Sequence, residues 1–117
     1  MPHVILAGDV SIDRARSVFE PFLARDGDRV IKAERFYTER DGRAALVEMV
    51  VVERGFTQKF FIQLAPRRDG LTVRLEPLTD PEKTPAVKRA IAEVAHRLAR
   101  ATGCDVAGTN IEDHRNR

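Results

Sequence analysis

Apolar residues change their period along this chain, and each change marks an element. His3 to Gly8 is a short run of aliphatic and β-branched side chains closed by Gly8-Asp9, the pattern of a buried strand. Ile12, Ala15, Val18, Phe19, Phe22 and Leu23 then recur at three- and four-residue spacing, which predicts one face of a helix capped by Asp9 or Ser11. Pro21 lies inside that stripe. It lacks an amide proton and its ring clashes with the preceding turn, so a kink or an early end is expected there. Asp26-Gly27-Asp28 turns the chain.

From Arg29 to Pro77 the period is two. Asp41-Gly42 and Asp69-Gly70 supply positive-φ positions for tight turns, and Arg54-Gly55 supplies a third. Strands are predicted over 29–40, 43–54, 56–66 and 71–76, a four-strand meander. The period then returns to that of a helix. Val87, Ala90, Ile91, Val94, Ala95 and Leu98 form a stripe among Lys88, Arg89, Glu93, Arg97 and Arg100, with Thr84 as cap, Pro85 in the first turn and Gly103 at the exit. Residues 105–111 suit a short edge strand, and the polar 112–117 (EDHRNR) is expected to fray.

The predicted class is α+β, in the order β-α-β-β-β-β-α with a further strand at the end. Residues 1–111 would form a single two-layer domain whose helices cover one face of an antiparallel sheet. This order resembles the half-repeat of TATA-box-binding protein in topology alone, with no shared motif, and carries no function with it.

Alternation divides the sheet into two faces. Val47, Met49 and Val51, with Phe60, Ile62 and Leu64 and then Leu71, Val73 and Leu75, are expected under the helices. The opposite face would carry Leu46, Glu48, Val50 and Val52, then Lys59, Phe61 and Gln63, then Thr72, Arg74 and Glu76. That is too apolar for an ordinary wet face. In the first meander strand Val30, Lys32, Glu34, Phe36 and Thr38 share one side, while Arg35 interrupts Ile31, Ala33 and Tyr37 on the other. Neither side is clean, so a β-bulge that reverses the alternation is expected within this strand.

Composition narrows the function classes only a little. Of 117 residues 43% are hydrophobic and 32% charged, enough for one core and a well-solvated surface. Twenty basic against 18 acidic side chains leave a net charge of +2, less than a dedicated nucleic-acid binder usually carries. A lone Cys104 excludes an internal disulfide framework, no apolar run is long enough to span a bilayer, and the N-terminus lacks the basic region of a secretory signal. A cytoplasmic address is the expectation.

Candidate chemistry is sparse. His3, His96 and His114 are too scattered for a metal pair, and His96, just off the helical stripe, reads as a surface or boundary residue. Cys104 follows a helix C-terminus, where the macrodipole disfavours a thiolate. Gly8-Asp9 lacks the further glycines and the Lys-Ser/Thr pair of a phosphate cradle. Arg40 and Arg43, and Arg67-Arg68, bracket hairpin tips whose convergence in space would be needed for an anion site. No catalytic constellation, cofactor site or metal site is expected.

The sequence by itself therefore gives no substrate and leaves the function unknown. Its leading expectation is a non-enzymatic interaction domain that self-associates as a homodimer, or binds a protein partner, through the outer sheet face: Lys32, Phe36, Leu46, Val50, Val52, Lys59, Phe61 and Arg74. The alternative is a nucleic-acid-binding module in which Phe36 and Phe61 stack bases and Lys32, Lys59 and Arg74 meet phosphates, against the repulsion of Glu34, Glu48 and Glu76. A further alternative is a small-molecule or lipid pocket between sheet and helices beside Phe19 and Phe22. No membrane partner is expected.

Overall fold

Pairing of alternating strands with two capped helices gives a two-layer α+β fold. The computed structural model describes residues 1–111, so the expectation for 112–117 lies outside the described residues. Its elements are β1 (His3–Ala7), α1 (Ile12–Val18), β2 (Phe22–Asp26), β3 (Arg29–Thr38), β4 (Ala45–Glu53), β5 (Phe56–Arg67), β6 (Gly70–Leu75), α2 (Pro85–Thr102) and β7 (Asp105–Thr109). All seven strands join one antiparallel sheet in the order β2-β3-β4-β5-β6-β1-β7. The meander runs outward from β6, and β1 inserts between β6 and β7 at the far side.

The first helix is shorter than its apolar stripe. Ser11 caps α1 by accepting from the amide of Arg14, as expected, but the helix stops at Val18. The residue before a proline avoids the helical region, so Glu20 cannot continue the helix into Pro21. Phe22, expected on the helix, instead opens β2, an edge strand that pairs with β3 through Asp26–Arg29. This strand is the element absent from the predicted order. The residues that suggested an internal pocket are occupied with neighbours: Phe19 lies 5.3 Å from the Phe36 ring, and the Arg97 guanidinium sits 4.0 Å above the Phe22 ring.

The second helix follows its sequence closely. Thr84 accepts from the Val87 amide, Pro85 sits in the first turn, and Gly103 closes the helix at φ 76°. Its apolar stripe packs across β1, β3, β4 and β6, together with Val47, Met49, Val51, Phe60, Ile62, Leu64, Leu71, Val73 and Leu75. Each such side chain contributes about 1.5–3 kcal/mol on full burial. His96, expected at the surface or boundary of α2, is buried.

Two hairpin tips differ in kind. Arg54 and Gly55 both take positive φ, 54° and 77°, which matches the twist of β4 and β5. Gly70 does not take the positive φ expected of it. It begins β6 where the strand runs so close to β1 that a Cβ would stand 1.8 Å from the carbonyl oxygen of Leu6. A glycine is needed there for space and not for a turn.

The bulge expected in the first meander strand lies between Ala33 and Phe36. Ala33 pairs with Met49 and Phe36 with Val47, so Glu34 and Arg35 together stand opposite Glu48. One extra residue exchanges the two faces for the rest of β3. Phe36 therefore joins the helix side, against Phe19, and Tyr37 moves to the open face opposite Leu46.

Candidate functional site

The face of the sheet away from the helices is organised in rows across the strands. Lys32, Val50 and Lys59 form one row over β3, β4 and β5. Val30, Val52 and Thr57 form the row on one side of it. On the other side the bulge residues meet Glu48 and then Phe61, and beyond them Tyr37, Leu46, Gln63, Arg74 and His3 run over five strands. Seven of the eight residues picked from the sequence thus share this face. Phe36 is the exception, because the bulge turns it inward.

Charges on this face are partly spent on one another. Lys32 pairs with Glu34 at 3.3 Å. The Arg74 guanidinium donates to Gln63 Oε1 at 2.8 Å, and Gln63 in turn donates to Glu76 at 3.4 Å. Glu76 also accepts from the Leu78 amide, which fixes the turn after β6. Lys59 is exposed and has no ion-pair partner among the described residues. Arg35 is exposed as well; its guanidinium is held charged above its ordinary range, first by a hydrogen bond to Tyr37, then by the charge of Glu48.

Aromatic surface accompanies these cations. Tyr37 is 42% exposed and stands edge-on to Phe61, with ring centroids 6.2 Å apart. Beside the pair lies a groove of about 350 Å³ lined by Lys32, Glu34, Glu48, Val50, Lys59 and Phe61, closed on one side by Thr79. Thr79 is held there by accepting from the Phe61 amide. One oxygen of Glu48, Oε1, is out of contact with water and has no hydrogen-bond partner.

Sequence reasoning missed Arg35 and Tyr37 as members of this face, and it counted Glu48 only as repulsion toward phosphate. The signal was present in the run Lys32-Ala33-Glu34-Arg35: two successive charged residues where the alternation calls for one.

The β3–β4 and β5–β6 hairpin tips do converge, at the opposite end of β4 and β5 from the Arg54-Gly55 turn. Asp41 and Gly42 share a cleft of about 450 Å³ with 66–71 and with the β1–α1 turn. It mixes Arg67 and Arg68 with Asp9, Asp13, Asp41 and Asp69, and Arg43 is paired with Asp41 at 3.2 Å. Acidic side chains outnumber basic ones there, so the cleft does not favour an anion. Among the described residues no group of three His, Cys, Asp or Glu side chains could hold a metal, and no helix is long and apolar enough to cross a membrane.

Two curated proteins are similar to this chain, and both are named tRNA (guanine-N(7)-)-methyltransferase. The protein of Thermotoga maritima is 26% identical over 98 residues, 84% of this chain and 30% of that protein. The protein of Aquifex aeolicus is 37% identical over 54 residues, 46% of this chain and 18% of that protein. The chain therefore spans less than a third of the length of these relatives. No protein-family model matches it. No solved structure matches it significantly. These relatives overturn the expectation of a non-enzymatic domain of unknown function. They carry the name of an enzyme that acts on RNA, and the sequence lacked any motif that would have signalled it.

Proposed function

We propose that this chain takes part in the methylation of guanine N7 in tRNA, its own share being to hold the RNA on the outer face of the sheet. The observation that carries the reading is the shared name of the two relatives, together with an alignment that takes in 84% of this chain but 30% of the Thermotoga protein. A segment of that proportion supplies part of what a tRNA-modifying protein needs. The face offers what RNA binding uses: ring surface from Phe61 and Tyr37, and exposed cations from Lys32, Arg35 and Lys59.

Methyl transfer also needs a methyl donor, and the one glycine turn between a strand and a helix does not fit one. A Cβ at Gly8 would meet the Cβ of Cys104 at 3.1 Å, so this glycine makes room for the packing of Cys104. Asp9 and Asp13 add negative charge at the same turn. No step through the donor is assigned to these residues.

The test is binding of transfer RNA by the full chain, followed by fluorescence anisotropy of a labelled tRNA. The double variant Lys32→Glu, Lys59→Glu should lower affinity at least about tenfold, since each lost phosphate contact weakens binding across all sequences. Equal binding by the variant and the parent would remove the outer face from the proposal.

A further inference from the structure

We infer that the outer face takes an unpaired stretch of RNA and not a helical arm, with bases seated on either side of the Tyr37–Phe61 ring pair. This rests on the proposed RNA-binding reading and narrows its substrate to nucleotides whose bases are unstacked. Two hollows lie along β4 on this face. One, of about 320 Å³, is lined by Tyr37, Glu39, Ala44, Leu46, Gln63 and Glu76. The other is the groove of about 350 Å³ that holds Lys32, Lys59 and Phe61. Each hollow has one ring in its wall. The two rings are inclined at 75° to one another, so their faces point in different directions and one base cannot stack on both. Every base has a π-face, so two separate rings suit two bases of any identity.

Both rings are set in place by the protein itself. Tyr37 meets Phe61 at its edge and takes a hydrogen bond from Arg35. The backbone at Phe61 is tied at both ends, its amide to the Thr79 hydroxyl and its carbonyl to the Glu76 amide. Ordering of side chains is part of the cost of binding, and rings already held in position lower it.

Charge disfavours a duplex. Glu39 and Glu76 line the first hollow, whereas Lys32 and Lys59 line the second alone. Arg74, which stands opposite Gln63 at the first hollow, is already engaged by Gln63 Oε1 at 2.8 Å. A double helix offers phosphates, 2′-hydroxyls and groove edges, and its base faces stay stacked inside. Laid on this face, it would bring phosphate toward Glu39 and leave both rings unused. A single strand can turn its phosphates toward Lys32 and Lys59 and its bases into the hollows, over the half-buried Leu46 and Val50.

The experiment compares a labelled, unstructured single-stranded RNA with the same strand annealed to its complement, by anisotropy with the full chain. Electrostatics alone would favour the duplex, whose counterion release per contact is the greater. The single strand should nevertheless bind at least about tenfold more tightly, because stacking on two rings contributes about five-fold or more for each base. The double variant Tyr37→Ala, Phe61→Leu removes both rings while keeping apolar bulk at position 61. Shown to be folded by circular dichroism, it should lose the preference and keep the salt dependence. Equal or tighter binding of the duplex by the parent would overturn the unpaired-strand site and leave the RNA reading standing. A single-strand preference that survives the loss of both rings would overturn the seating of bases on Tyr37 and Phe61. No binding of either RNA would end both readings.

Discussion

Exchange of Phe36 and Tyr37 between the two faces of β3 makes a prediction that separates packing from binding. Phe36→Ala removes a half-buried ring that stands 5.3 Å from Phe19 under the helices. Complete burial would set the loss at about 3–5 kcal/mol. Partial exposure reduces it, and the ring pair adds about 0.5–1.5 kcal/mol, so a loss of about 2–4 kcal/mol is expected. Phe61→Ala removes a ring from the outer face, where one stacked base is worth about 1–3 kcal/mol of binding. Urea unfolding followed by circular dichroism should therefore show the larger stability loss for Phe36→Ala. Anisotropy with labelled RNA should show a loss of about five-fold or more for Phe61→Ala and near-parental affinity for folded Phe36→Ala. If Phe36→Ala weakened RNA binding as much as Phe61→Ala while leaving stability unchanged, the bulge between Ala33 and Phe36 would be misplaced and Phe36 would belong on the outer face.

Two further substitutions test the hairpin geometry. Gly70→Ala would drive a Cβ into the backbone of Leu6, so β1 or β6 must shift. A loss of at least about 2 kcal/mol is expected by urea unfolding, and a loss below about 0.5 kcal/mol would show the close approach to be relaxed. Arg54 holds a left-handed conformation at φ 54°, which costs most side chains about 1–2 kcal/mol. Asparagine tolerates it better and forms the preferred Asn-Gly turn, so Arg54→Asn should raise the unfolding midpoint; a lowered midpoint would argue that Arg54 contributes more through its side chain than its backbone costs.

Most of the sheet was legible in the sequence because its faces alternate cleanly. Val47, Met49 and Val51, with their partners on β5 and β6, could be assigned to the core without coordinates, and the capped α2 could be bounded at both ends. The failures have local causes. Phe22 and Leu23 continued a helical stripe, but Pro21 ended that helix early and left Phe22 to start a strand. Period-two reading also assumes one residue opposite one. At Glu34 and Arg35 two residues face Glu48, and the slip sent Phe36 to the wrong face and hid Tyr37. Asp69-Gly70 reads as a turn by composition, whereas the glycine answers to the approach of β1, a contact distant in sequence. The proposed function was not legible, since a face that holds RNA needs a surface and no fixed motif, and its residues here come from β2 to β5.

The most direct test of the account is the salt dependence of tRNA binding by the full chain. Arg25 of β2, opposite Val30 of the outer row, joins Lys32, Arg35 and Lys59 as an exposed cation of this face; with four phosphate contacts and about 0.7–0.9 counterions released per contact, the logarithm of the association constant should fall with the logarithm of salt concentration at a slope of about −3. No association at low salt, or an affinity indifferent to salt, would contradict the claim that this face holds RNA.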